Sequence, residues 1–82
     1  MQNPELRTRV RSIIGRLFQI SPAEMEGELR LGNPPQWDSI GHMQLLVAIE
    51  EEFEIRFPSY SIATLTSVEA IAKAVESNGG KQ

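Results

Sequence analysis

The segment from Asp38 to about Glu54 predicts one long helix, and it constrains the fold more than any other feature of the chain. The segment contains no proline, and its only glycine is Gly41 in the first turn. Its apolar residues recur with the period of about 3.6 residues that is typical of a helix. Because the residue before a proline avoids the helical region, the helix should end in the segment that leads to Pro58.

The apolar residues of this helix divide into two stripes when successive residues are placed about 100° apart. The stripe expected to face the core contains Leu45, Leu46, Ile49 and Phe53. The second stripe contains Ile40, Met43 and Val47. One apolar stripe is enough for a surface helix, so the second has two interpretations. It packs beneath the preceding loop, or it stays exposed and meets a partner.

Two further long helices are predicted, one at each end of the chain. Asn3 is a suitable N-cap and Pro4 a suitable first residue for the first of them. Its helical stripe comprises Leu6, Val10, Ile13, Ile14 and Leu17. Thr66 and Glu69 have the spacing of a capping box for the last helix. Glycines near the C-terminus should end that helix, so residues 78–82 are expected to form a flexible tail.

The connection from residue 21 to residue 37 is long and rich in glycine and proline, which excludes a regular long helix. A short helical turn is possible after Ser21-Pro22, and Ser59 to Leu65 is interpreted as a short helix or turn. The sequence therefore predicts an all-α fold. It is a small four-helix bundle, with three main helices, one short helix and a long loop after the first helix.

Composition limits the functions that such a chain can have. The 82 residues suffice for one small domain, residues 1–82, and this domain is expected to be a monomer. The chain has no cysteine, which excludes disulfides and thiolate chemistry. No apolar run approaches the ~20 residues of a membrane span, and the first residues lack the apolar core of a signal peptide. A cytoplasmic location is therefore expected.

The charge of the chain is slightly acidic and unevenly distributed. The net charge of −3 argues against nucleic acid as a partner, because nucleic acid favours a basic surface. The central acidic cluster contains Glu50, Glu51, Glu52 and Glu54. It is interpreted as an ordinary solvated helix face or as a surface that attracts basic proteins.

Ser39 stands at the start of the long helix, between Asp38 and Ile40. A serine at this place is either a helix cap or a point of attachment. A hydrolytic triad of Asp38, Ser39 and His42 is rejected, because three neighbours on one helical turn cannot surround a substrate. His42 is the only histidine, so a histidine metal site is excluded, and its side chain is expected at the edge of the core.

These motifs together resemble those of the acyl carrier proteins, the carrier domains that bear phosphopantetheine. The resemblance rests on Asp38-Ser39-Ile40, on the helix that runs from Leu45 through Glu50-Glu51-Glu52-Phe53, on Ile55-Arg56-Phe57-Pro58 and on Leu65-Thr66-Ser67-Val68-Glu69. It covers nearly the whole chain.

The resemblance implies a carrier that is not an enzyme. In such a carrier, Ser39 receives a 4′-phosphopantetheine arm from coenzyme A through a phosphopantetheinyl transferase, and Asp38 is its motif neighbour. The arm carries an acyl or aminoacyl group as a thioester to loading and condensing enzymes. The resemblance also implies that the second stripe is exposed for docking. The implied docking residues are Ile40, Met43, Val47, Glu50, Glu51 and Glu54. The alternative is a helical adaptor that binds partners without a cofactor and uses Ser39 only as a cap.

The chain departs from the carriers of primary fatty acid synthesis at two places. Those carriers have acidic residues just after the modified serine, whereas this chain has Gly41, His42 and Gln44. The loop insertion from Asn33 to Trp37 also differs from that type. We therefore expect a specialised carrier, for polyketide, peptide or modified-lipid assembly.

Overall fold

The computed structural model describes residues 4–79 as a bundle of helices. In chain order the elements are α1 (Pro4–Phe18), α2 (Pro22–Met25), α3 (Ser39–Phe53), a 3-10 helix (Ser59–Thr64) and α4 (Val68–Gly79). Within the described range no strand forms, and isolated bridges join Arg30 to Asn33 and to Ser67. The predicted all-α bundle is confirmed. None of these described helices combines the length and the apolar character that crossing a bilayer would require.

The first helix packs its apolar stripe against both α3 and α4. Val10 and Ile14 are fully buried at this contact. The predicted stripe is wrong at its end, because Leu17 is exposed and Phe18 is buried in its place. Asn3, the predicted N-cap, lies outside the described residues. Thus the bundle is organised around α1, and the C-terminal end of α1 contributes an aromatic ring to the core.

The short helix α2 has the complete local signal for a helix start. The hydroxyl of Ser21 accepts a hydrogen bond from the Glu24 amide, and the Glu24 carboxylate accepts one from the Ser21 amide. This reciprocal pair is a capping box, and Pro22 occupies the first turn. The helical turn expected after Ser21-Pro22 is therefore confirmed.

The start of α4 differs from the prediction by one residue. The Ser67 hydroxyl accepts a hydrogen bond from the Ala70 amide at 3.1 Å, so Ser67 caps this helix instead of Thr66. Thr66 has another role, because its carbonyl accepts from the Leu31 amide at 2.8 Å and anchors the long loop. At its other end α4 continues through Gly79, two residues into the segment expected to be a tail.

The core contains one large aromatic side chain that the helical periodicity did not place there. Trp37 is fully buried, and it is the largest of the completely buried side chains. Its ring stacks against Phe18 with centroids 6.3 Å apart. Phe53, which was expected in the core, is only partly buried. The indole therefore closes the end of the bundle at which α3 begins.

Candidate functional site

Ser39 is the first residue of α3, and its side chain is exposed. The cap of this helix is Asp38, which has an extended backbone and accepts a hydrogen bond from the Gly41 amide at 2.8 Å. Within residues 4–79 the Ser39 hydroxyl has no hydrogen-bond partner. The alternative in which Ser39 serves as the cap is therefore wrong, because the carboxylate of Asp38 caps the helix.

The first turn of α3 can accommodate an anion next to Ser39. No group in the described part of the chain accepts from the backbone amides of Ser39 and Ile40, while the Gly41 amide is taken by Asp38. Free amides at the N-terminus of a fifteen-residue helix stabilise a phosphate through hydrogen bonds and the helix dipole. The residues present therefore fit a phosphodiester on the Ser39 hydroxyl.

Beneath this exposed turn lies a buried hydrogen-bonded bridge. The indole Nε1–H of Trp37 donates to Nδ1 of His42 at 2.9 Å, and Nε2 of His42 lies 2.9 Å from the carbonyl oxygen of Ile62. His42 is only 5% exposed, so it is a buried residue and not one at the edge of the core. Both ring nitrogens are occupied, which gives a second reason against a triad with Ser39.

Sequence reasoning missed this bridge for identifiable reasons. Trp37 lies outside every helical stripe, and Ile62 is twenty residues away from His42 along the chain. The available signal was the five-residue separation of Trp37 and His42 around the helix start. A buried indole N–H needs an acceptor, and an imidazole one helical turn later can supply it.

Gly41 permits the loop to lie against the first turn of α3. A Cβ atom at this position would lie 2.3 Å from the carbonyl oxygen of Gln36 and 3.0 Å from the Phe18 ring. Gln36 in turn donates a hydrogen bond to the Phe18 carbonyl at 3.2 Å. At position 41 an acidic side chain is therefore excluded on steric grounds, because an aspartate would collide with the loop backbone.

We expect Gly41→Ala to destabilise the domain, although alanine is the better helix former. Alanine gains up to about 1 kcal/mol in a helix interior, but forcing a methyl group into a filled space costs about 1–3 kcal/mol. Gly15→Ala in α1 is the matched control, because its new methyl group would meet the flexible end of Met25. Urea unfolding should show Gly41→Ala to be less stable than wild type and Gly15→Ala to be neutral or stabilised. Equal effects at both positions would contradict this interpretation.

The second apolar stripe of α3 is exposed. Ile40, Met43 and Val47 are 73%, 47% and 48% exposed, respectively. The interpretation in which they pack beneath the loop is therefore wrong. The three side chains begin immediately after Ser39 and continue along one face of the helix. They form an apolar surface next to the exposed hydroxyl, while their docking role stays a prediction.

The acidic residues at the other end of α3 do not all have the same surroundings. A cleft of about 570 Å³ is lined by Val47, Glu50, Glu51, Glu54, Ile55, Arg56 and Asn78. The Glu50 carboxylate accepts a hydrogen bond from the Phe57 amide at 2.8 Å, so it holds the chain after α3. Glu51 and Glu54 are exposed and remain available to a partner. Among residues 4–79 no group of acidic or histidine side chains is arranged to bind a metal ion.

Comparisons with known proteins agree with this geometry. A family model described as a phosphopantetheine attachment site matches residues 37–75, which begin at Trp37 and include all of α3. The chain is also 31% identical over 71 residues to an acyl carrier protein of Phaeodactylum tricornutum. That alignment covers 87% of this chain and 93% of the relative. The chain therefore belongs to the acyl carrier protein family, whose members bear a covalently attached 4′-phosphopantetheine group and have no catalytic activity of their own.

Proposed function

We propose that this protein carries acyl groups as thioesters on a 4′-phosphopantetheine arm that is attached to the hydroxyl of Ser39. One observation carries the proposal. Ser39 is an exposed first residue of a long helix, and Asp38 has already satisfied the cap. The hydroxyl is thus free for a covalent bond, and the adjacent amides favour the resulting phosphodiester anion.

The other serines of the matched segment are less suitable as attachment points. Ser61 donates its hydroxyl to the Pro58 carbonyl, and Ser67 caps α4. Ser59 is exposed, but it begins a 3-10 helix of only six residues. Among these candidates, Ser39 alone combines an unengaged hydroxyl with the start of a long α-helix.

Attachment would form a bond between the Ser39 oxygen and a phosphorus of coenzyme A and would release adenosine 3′,5′-bisphosphate. Near Ser39 in the described part of the chain, Asp38 accepts from the Gly41 amide through one oxygen and both nitrogens of His42 are occupied, so we expect these residues not to remove the hydroxyl proton. The base must therefore come from a phosphopantetheinyl transferase. The bound arm supplies a thiol, which compensates for the absence of cysteine from the chain.

Intact-mass measurement tests the proposal directly. The protein is incubated with coenzyme A and a broad-specificity phosphopantetheinyl transferase, and the product is then fragmented to locate the added mass. We expect a gain of one phosphopantetheine group on Ser39. The absence of a gain, or a gain on Ser59, would overturn the assignment. Omitting the transferase provides the control, because the protein cannot modify itself.

We further propose that Ile40, Met43 and Val47 form the apolar part of the surface that contacts modifying, loading and condensing enzymes. These side chains are exposed in a row beside Ser39. Glu51 and Glu54 add an acidic end that suits basic partners. Glu50, also predicted to dock, contributes less because its carboxylate is bound to the Phe57 amide.

We expect Met43→Glu to raise the KM of the transferase for this protein by about tenfold or more, because a buried apolar contact is worth about 1.5–3 kcal/mol. The kcat and the circular dichroism spectrum should stay near those of wild type, because Met43 is about half exposed. Leu17→Glu is the control, since it puts the same charge on an exposed apolar residue of α1. A similar rise in KM for both variants would show that the stripe has no special role.

The pathway is proposed to be a specialised one, of the polyketide, peptide or modified-lipid type. The support is that the first turn of α3 after Ser39 contains no acidic residue and that the loop packs on Gly41, which leaves no room for an acidic side chain there. Enzymes of primary fatty acid synthesis should load or extend the modified protein poorly. The cytoplasmic location and the monomeric state remain predictions.

A further inference from the structure

The buried bridge at His42 can exist with only one arrangement of protons. An indole nitrogen only donates, so Nδ1 of His42 must accept the bond from Trp37. A carbonyl oxygen only accepts, so Nε2 must carry the proton that points to Ile62. His42 is therefore a neutral imidazole with its hydrogen on Nε2, and each nitrogen has the partner that this form needs.

The same bridge closes the turn that contains Ser39. Trp37 precedes this turn and His42 follows it, and their side chains are hydrogen-bonded to each other. Two further hydrogen bonds join residues between Trp37 and His42. The Gly41 amide donates to the Asp38 carboxylate, and the His42 amide donates to the Asp38 carbonyl at 2.7 Å. The residues before and after Ser39 are thus both fixed by hydrogen bonds, and Ser39 projects from the turn between them.

His42 also connects this turn to elements that lie outside α3. Its Nε2–H reaches the carbonyl of Ile62 in the 3-10 helix. Its partner Trp37 stacks on Phe18 at the end of α1. The loop backbone is fixed by bonds from the Gly32 amide to the Trp37 carbonyl and from the Trp37 amide to the Pro34 carbonyl. The orientation of the Ser39 turn therefore depends on His42, which is bonded directly to the 3-10 helix and is linked through Trp37 to the end of α1.

We propose that His42 is a positioning residue for attachment at Ser39, because its neutral imidazole bridges Trp37 and Ile62 and holds the turn in the orientation that a phosphopantetheinyl transferase requires. This inference rests on the proposed function. A transfer reaction is sensitive to displacements of about 1 Å between the attacking oxygen and its target. Loss of the bridge should therefore lower kcat, whereas KM should be set by the exposed stripe of α3.

Four variants separate positioning from general stability. His42→Leu removes both hydrogen bonds and leaves the Trp37 N–H without an acceptor. His42→Gln is the rescue variant, because a single amide group provides both an acceptor oxygen and a donor nitrogen. Val75→Ala is the control, since it weakens the buried core in α4 without touching the bridge. Trp37→Phe is the substitute if His42→Leu does not fold, because it removes the indole donor and keeps one aromatic ring in the core.

The kinetic measurement uses the unmodified full chain as the substrate of the transferase, at a temperature where circular dichroism shows each variant to be folded. We expect kcat to fall about tenfold or more in His42→Leu, because a misplacement of about 1 Å can cost about 100-fold, while KM stays within about twofold. His42→Gln should recover most of this loss, and Val75→Ala should match wild type. If His42→Leu does not fold, Trp37→Phe should show a smaller decrease of kcat in the same direction.

A spectroscopic measurement tests the bridge without the transferase. The chain contains one histidine and one tryptophan, so labelled imidazole and indole nitrogens give signals that need no further assignment. We expect one imidazole nitrogen to carry a proton and the other to be an acceptor, with an indole N–H that exchanges slowly with water. In His42→Leu the indole N–H should exchange faster. Rapid exchange in wild type would exclude the bridge.

The possible outcomes distinguish this inference from the proposed function. If wild type is modified on Ser39 and all variants react at the wild-type kcat, the positioning role is excluded and the proposed function stands. A decrease of kcat in Val75→Ala equal to that in His42→Leu would also exclude it, because stability alone would then explain the loss. If wild type gains no mass, the proposed function fails and this inference fails with it.

Discussion

Ser39→Ala should abolish attachment of phosphopantetheine while leaving the free energy of unfolding within about 0.5 kcal/mol of wild type. The loss should be complete because the variant lacks the oxygen that forms the bond to phosphorus. The stability should persist because the Ser39 side chain is exposed and the cap bond belongs to Asp38. Intact mass after incubation with coenzyme A and a transferase, together with urea unfolding, measures both quantities.

Asp38→Ala is the matched control for that result, since it changes the adjacent residue of the same turn. It removes the acceptor for the Gly41 amide and should cost about 1 kcal/mol of stability, as the loss of an N-cap usually does. It keeps the Ser39 hydroxyl, so some mass gain should remain. If Ser39→Ala destabilised the domain more than Asp38→Ala, Ser39 would have to be the cap after all.

Trp37→Ala should remove a large part of the free energy of unfolding of the domain. Truncating a large buried side chain costs about 3–5 kcal/mol, and Trp37 is fully buried against Phe18 and His42. The change also removes the donor to Nδ1 of His42, and an unpaired buried polar group costs about 1–3 kcal/mol more. Domains of this size have only about 5–15 kcal/mol of stability in total. Circular dichroism during urea unfolding measures the loss.

Phe53→Ala is the comparison for Trp37→Ala, because it truncates another aromatic side chain at a position that is only partly buried. The core pattern predicted that Phe53 would be buried, but its side chain is only partly buried, and the Arg9 guanidinium lies over its ring at 4.5 Å from the centroid. We therefore expect about half the transfer free energy of a fully buried side chain, or ~0.8–1.5 kcal/mol. A larger loss in Phe53→Ala than in Trp37→Ala would contradict the packing described here.

Most of the helical architecture could be predicted because its signals are local. Period, proline position and capping pairs act over a few residues, which is why the start of α1 and both ends of α3 were predicted within a residue of their observed positions. The start of α4 was predicted one residue too early, because Ser67 and not Thr66 caps this helix. The Thr66 carbonyl accepts instead from the Leu31 amide, which belongs to a distant loop.

The candidate site was predictable only in part. The position of Ser39 before a helix and the apolar stripe that follows it were visible in the residues. The roles of Trp37 and His42 were not, because a residue outside a helical stripe has no periodicity to indicate burial. Likewise, the need for glycine at position 41 arises from the carbonyl of Gln36, whose approach depends on the path of the whole loop.

By itself, the order of residues determined the helices, the absence of cysteine chemistry and the place of a serine at the start of α3. Only the tertiary structure decided that the second stripe is exposed and that His42 is buried between Trp37 and Ile62. The physical reason is the separation along the sequence between the residues that interact. Helix formation depends on neighbours within about four residues, whereas burial and hydrogen bonding of a side chain depend on segments that meet only when the chain has folded.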